Sequence, residues 1–235
     1  MEARVVIGAN RNFVLKNALL LYGDGTSMFA TLHSVMMRAK NSAPQLGPGQ
    51  ALTMAFLRTL AEGLGSRIAT EILPDNVLAR TPDMITWWAR ATREVMFFGG
   101  VDPEARELDG ATYPNPALVF KVTGRELFVR ALERDERPTG ETPLKTAPYW
   151  NCDSAGRVCL GSMRVPDETT VESIAGWQSN FFRSQFTHPS GAVRLTTHPR
   201  GFIGLWKSLK NCDQPFPADF LTDAKEALRQ FVQRN

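Results

Sequence analysis

Cysteine is scarce in this chain: 235 residues hold three, an odd count. That argues against a disulfide framework and for reduced thiols in the cytoplasm. An excess of one charge is lacking too. Lys and Arg number 27 against 24 Asp and Glu, a net charge of +3, and no basic tract stands out. Direct nucleic-acid binding through a basic surface is therefore not expected. No apolar run reaches the ~18 residues that cross a bilayer, so no membrane partner is expected. The opening Met1-Glu2-Ala3-Arg4-Val5-Val6-Ile7 lacks the apolar stretch and cleavage site of an export signal. Cys152, Cys159, His188 and His198 show no compact ligand spacing, so no metal is expected. No internal repeat or low-complexity segment is evident.

What is present suits a folded core. Hydrophobic residues make up 43% and charged residues 22%, ordinary for a globular chain of one large domain or a core with additions. The pattern reads as α+β with antiparallel strands. Phe13 to Leu21 is β-rich, Asp24-Gly25 signals a hairpin, and Met28 to Val35 alternates back. These form an N-terminal β-ribbon, placed at residues 1–40. Asn41 to Gly49, with Pro44, Gly47, Pro48 and Gly49, reads as a connector. Gln50 to Gly63 carries Leu52, Phe56, Leu60 and then Leu64 at helical spacing. Short strands are expected over Arg67–Leu73 and Met84–Ala89. Leu118–Val122 and Glu126–Leu132 flank a second turn at Thr123-Gly124-Arg125. Two helices are expected late in the chain, Thr169–Gln185 with Thr170 as cap and Asp223–Val232.

The segment Tyr149-Trp150-Asn151-Cys152-Asp153-Ser154-Ala155-Gly156-Arg157-Val158-Cys159-Leu160 carries chemistry. A carboxamide stands eight residues before a cysteine, with a glycine turn between them. A thiolate is a strong nucleophile and a good leaving group, so it can take up an acyl group and release it. An amide N–H nearby can hydrogen-bond the oxyanion formed in transfer, or brace the loop.

These residues resemble the active-site segment of ubiquitin-conjugating enzymes: His-Pro-Asn, a loop with Gly, then an apolar residue, the catalytic Cys and Leu. Tyr149-Trp150-Asn151 stands in place of His-Pro-Asn, and Gly156, Val158, Cys159 and Leu160 follow in register. The departure at His-Pro bears on the bracing of the loop more than on the nucleophile. Runs around it sharpen the likeness: Arg137-Pro138-Thr139-Gly140-Glu141-Thr142-Pro143-Leu144, Ala147-Pro148, and Gly161-Ser162-Met163-Arg164-Val165-Pro166. So do Leu73-Pro74-Asp75-Asn76-Val77-Leu78, Phe186-Thr187-His188-Pro189 and Leu205-Trp206. Together they are similar to the prokaryotic family D of ubiquitin-conjugating-like proteins, a branch associated with PRTRC (ParB-related, ThiF-related cassette) systems.

The resemblance implies a ubiquitin-conjugating-like fold, an antiparallel meander with helices before and after, over residues 41–235. It implies a transferase in which Cys159 carries a ubiquitin-like protein as a thioester and passes it to an amine of a target protein. A ThiF-like adenylating enzyme would supply the acyl group, and no cofactor is needed. Asn151 would serve the oxyanion or the loop. Tyr149, Trp150 and Gly156 would shape the loop, and His188 is a candidate for taking the amine's proton.

Plainer readings stand beside these. Most cysteines are buried and structural, most loop asparagines cap turns, and the tryptophans, Trp150 apart, read first as core. A scaffold that only docks the ubiquitin-like protein or its activating enzyme is the alternative function. A cysteine hydrolase, a DNA-partitioning accessory and a Cys152–Cys159 redox couple are further alternatives.

Overall fold

The computed structural model describes residues 4–6, 12–36, 44–63, 72–100, 102–161, 163–191 and 194–234. The chain divides into two compact units, Met1–Thr70 and Glu71–Asn235. The sequence reading drew its division at residue 40.

In the first unit, β1 (Arg4–Val6) and β2 (Asn12–Val14) pair antiparallel. A three-stranded sheet follows, made of β3 (Asn17–Gly23), β4 (Met28–Met36) and β5 (Gln45–Ala51) in that order. The hairpin between β3 and β4 turns where Asp24-Gly25 predicts. Asp24 Oδ1 accepts the N–H groups of Thr26 at 2.9 Å and Ser27 at 2.7 Å. These bonds, with Ser27 the larger influence, hold the exposed Asp24 carboxyl down at about 2. The expected connector is largely strand: β5 occupies most of it. Gly47 makes this possible, since a Cβ there would lie 2.4 Å from Ser34 Oγ on the neighbouring strand. Pro48 is tolerated because β5 is an edge strand. Helix α1 (Met54–Gly63) begins four residues later than its periodicity suggests.

The second unit holds a six-stranded antiparallel sheet. Its strands are β6 (Val77–Thr81), β7 (Met84–Ala89), β10 (Leu118–Thr123), β11 (Glu126–Ala131), β12 (Pro143–Thr146) and β14 (Asp223–Ala227). The spatial order is β14-β12-β11-β10-β7-β6. A smaller sheet joins β8 (Thr92–Phe98) to β9 (Ala111–Asn115) and, in parallel, to the short β13 (Gln185–Phe186). Helices are few: α2 (Pro103–Arg106), α3 (Ile174–Arg183), α4 (Gly201–Leu209) and α5 (Leu228–Gln233). The architecture is mixed α+β with antiparallel sheets.

Most of the strand expected over Arg67–Leu73 lies outside the described residues, and Ile72 and Leu73 are not in a strand. Thr170 does not cap α3. The helix starts later, and Ser173 Oγ donates to Thr170 O at 2.8 Å. The helix expected over Asp223–Val232 is half strand. Lys225 has φ of 58°, which no α-helix accepts, and Asp223–Ala227 pairs with β12.

Side chains alternate across a strand, so the six-stranded sheet has two distinct faces. Leu118, Phe120 and Val122 of β10 and Leu127, Val129 and Ala131 of β11 face a core shared with α3 and α4. There Phe120 stacks on Trp87 at 5.1 Å and meets Phe181 edge-on. The opposite face of the sheet carries Trp88, Val119, Leu132 and Leu144 against Leu228 and Phe231 of α5. Lys121 and Arg130 fall in phase with this second set, and both are buried. Covering both faces of an antiparallel sheet is uncommon and gives β10 its nearly unbroken burial.

Candidate functional site

After β12 the chain runs into the Pro148-Tyr149-Trp150-Asn151 segment, which aromatic packing clamps in place. Tyr149 is fully buried among Phe181, Phe186 and Trp206, and its hydroxyl donates to Asn115 Oδ1 at 2.8 Å. Burial pushes the Tyr149 phenol well up from its usual range. Trp206 Nε1 donates to Pro148 O. Trp150 stacks on Phe202 at 4.7 Å and is itself buried. Tyr149 and Trp150, two of the three residues expected to shape the loop, are thus packed in the core; Trp150, set apart from the core in the sequence reading, belongs to it and does not line the Cys159 cleft.

From Asn151 to Cys159 the backbone forms a small hairpin. Cys159 N donates to Asn151 O at 2.7 Å, and Asp153 N donates to Arg157 O at 3.0 Å, bracketing an antiparallel bridge between Cys152 and Val158. Gly156 N closes the turn onto Asp153 O at 2.9 Å. Asp153 Oδ1 accepts from Ala155 N and Arg157 N, stiffening the bend from inside. Gly156 sits at φ 77°, the left-handed position that ends a three-residue hairpin turn. Any larger residue is strained here, because a Cβ would lie 2.6 Å from Val129 O.

The hairpin sorts its two cysteines. Bridge partners share a face and adjacent residues oppose it, so Cys152 and Val158 point inward while Cys159 points the other way. Cys152 is buried, and burial raises its thiol pKa. Cys159 is exposed. It opens into a cleft of about 380 Å³ lined also by Glu126, Asp153, Arg157, Val158, Leu160 and Ser190. The two sulfurs therefore stand on opposite faces of one hairpin, which tells against a redox couple between them.

Asn151 pairs with Cys159 through the backbone, but its Oδ1 lies 3.8 Å from the buried Cys152 Sγ and it is not among the residues lining the Cys159 cleft. It is buried, with Nδ2 lacking a hydrogen-bond partner among the described residues. An orphaned amide N–H of this kind is costly and uncommon. His188 is exposed, its Nδ1 at 2.8 Å from Thr187 Oγ1. The lining of the Cys159 cleft includes Ser190, two residues further on, but not His188. Ser190 N donates to Trp150 O, which ties this segment to the loop. Among the described residues no three of His, Cys, Asp and Glu gather as a metal would require.

Sequence reasoning missed the charged rim of the cleft, where Arg157 pairs with Glu126 at 2.9 Å. It also missed Arg130, which lies beneath the bend with its side chain 2% exposed. Arg130 stands between Val129 and Ala131, but in a strand that also begins with the charged Glu126 it reads as facing water.

Residues 53–224 match the family described as prokaryotic E2 family D. No curated protein and no solved structure matches the chain. The matched stretch contains the aromatic clamp, the glycine-ended hairpin and the outward thiol, and it spans well over half of the sequence. On that basis the chain belongs to prokaryotic E2 family D, whose members have a ubiquitin-conjugating-like role.

Proposed function

We propose that this protein carries a ubiquitin-like protein as a thioester on Cys159 and passes it to an amine. The observation that carries this reading is the exposed Cys159 thiol, which opens into a cleft at the end of a hairpin whose other strand begins at Asn151. A ThiF-like enzyme adenylates the C-terminal carboxylate of the modifier. The Cys159 thiolate attacks the activated acyl carbon, and the activating group departs. An amine of a target protein then attacks the thioester, an amide bond forms, and the thiolate leaves. Through both steps negative charge gathers on the acyl oxygen. The Asn151 amide is the donor for it, and a preorganised donor of this type typically contributes about 3 kcal/mol to a transition state.

Tyr149, Trp150 and Gly156 hold the loop, and His188 accepts the proton of the incoming amine. The ubiquitin-conjugating fold spans residues 41–235, with 1–40 as an added ribbon, and the protein works in the cytoplasm within a PRTRC cassette. No cofactor is required here, since ATP is consumed by the activating partner.

Reconstitution with activator, modifier and ATP tests the reading. A reducible adduct should appear on Cys159 and vanish in Cys159→Ala, while Cys159→Ser should trap a thiol-resistant ester. A protein that binds the modifier unchanged but never forms the adduct is a docking scaffold, and the carrier reading then fails.

A further inference from the structure

Two guanidinium groups hold the carbonyls of the hairpin bend. Arg130 Nη2 donates to Ser154 O at 2.9 Å, and Arg234 Nη2 donates to Ala155 O at 2.6 Å. The carboxylate of Glu226 joins them: Arg130 Nε donates to Oε1 at 2.7 Å, and Arg234 Nη1 approaches Oε2 at 3.3 Å. Arg130 is nearly fully buried and Glu226 mostly so. Arg234 is fixed further by lying over the rings of Phe231 at 5.3 Å and Phe128 at 5.5 Å. Glu226 and Arg234 lie beyond the residues matched to the family.

We propose that Arg130 and Arg234, joined through Glu226, are positioning residues that set the angle at which Cys159 meets an incoming acyl group. The reason is geometric. Two successive peptide carbonyls, at Ser154 and Ala155, are each engaged by a rigid planar donor, which fixes the plane of the bend. The chain then reaches Cys159 in four more residues. Charge-assisted bonds to a guanidinium fork are shorter and stiffer than bonds to water, so the bend loses rotational freedom that it would otherwise keep. A carrier thiol needs that stiffness, because a displacement of about 1 Å at a reacting atom can cost about a hundredfold in rate. The proposal rests on the carrier reading for its consequence, though not for the geometry of the bend.

The 235-residue chain with Arg234→Met, Arg234→Lys or Glu226→Gln separates the two. Amide hydrogen exchange at Ala155, Gly156 and Arg157 reads the bend without any activity. It should quicken by about tenfold in Arg234→Met, as expected when one charge-assisted bond is lost. Iodoacetamide labelling of Cys159 should stay nearly unchanged, since the thiol is already open. Single-turnover thioester formation should fall about tenfold or more, with the half-saturating modifier concentration unaltered. Arg234→Lys should recover part of the loss, because an ammonium can keep one contact but not the fork. Glu226→Gln keeps the side-chain shape and should give a smaller change in the same direction. Unaltered exchange overturns the proposal. So does a parallel drop in labelling, transfer and melting temperature, which would mark a purely structural role. If the wild-type protein forms no thioester, the carrier reading falls, and exchange alone still decides whether the arginines hold the bend.

Discussion

The two faces of the six-stranded sheet are both buried, yet they are built from different materials. One is apolar and aromatic, with Trp87, Phe120, Phe181, Tyr149 and Trp206 in mutual contact. The other mixes Trp88, Leu144 and Phe231 with Lys121 and Arg130. The first face holds the fold together through area removed from water and close packing. The second spends part of its area on ions whose burial is opposed by desolvation and which stabilise only when paired. What that face gains is directional contact: Arg130 reaches the backbone carbonyl of Ser154 in the hairpin bend, and Lys121 those of Phe231 and Arg234. One side of the sheet sets how firmly the chain folds, and the other sets how one loop is held.

The largest expected effect belongs to the aromatic side. Phe181→Ala removes a fully buried ring and should cost about 3–5 kcal/mol in chemical denaturation. A loss below about 1 kcal/mol would show that this face does not carry the stability assigned to it. Next is Gly156→Ala at the bend. The new Cβ meets Val129 O in a left-handed backbone, and a cost of about 1–3 kcal/mol is expected. Cys159 labelling should change more than in any core variant of equal stability. Equal labelling in the two would erase the contrast between the faces.

A pH series gives the next effect. Burial raises the Cys152 thiol, so the folded chain keeps a proton that the unfolded chain releases above about 8.5. The folded state then binds more protons than the unfolded one, and stability is full below that pH and declines above it. The slope is at most about 1.4 kcal/mol per pH unit, and Cys152→Ala should flatten it in unfolding titrations. An identical slope in the variant would put the effect on another group. The smallest change is expected from Lys121→Met. Its ammonium donates to Phe231 O and to Arg234 O, while burial lowers its pKa. Loss of the bonds and relief of desolvation nearly offset, leaving about 1 kcal/mol or less in thermal unfolding. A several-fold larger loss would make the second face as important to folding as the first.

The sequence showed the aromatic side far better than the ionic one. Strands β7, β10 and β11 are plain in their β-rich runs and in the Gly124 turn. The Asn151-to-Cys159 spacing likewise foreshadowed the hairpin, its glycine and the exposed sulfur. Arg130 was not visible as a buried group, because a charged residue in a strand reads as facing water. Its guanidinium is met by Ser154 of the hairpin bend and by Glu226 of β14, the latter about a hundred residues away. The same segment misled the reading at Asp223–Val232. Ala224, Ala227, Leu228 and Phe231 have helical spacing, but pairing with β12 outweighs it over the first five residues. Gly47-Pro48-Gly49 looked like a connector because turn residues were counted without the strand that approaches them. There the missing side chain is what lets Ser34 come close.

The alternation within the hairpin has a consequence for how such a chain can vary. Between Cys152 and Val158 the length of the bend decides which neighbour looks outward. Removing or adding one residue there would slip the pairing, turn position 159 toward the core and bring an inert valine to the surface. Substitutions at the tip can be absorbed where Asp153 and Gly156 are kept. Insertions and deletions cannot, so loop length here is under a stricter constraint than most of the side chains it contains.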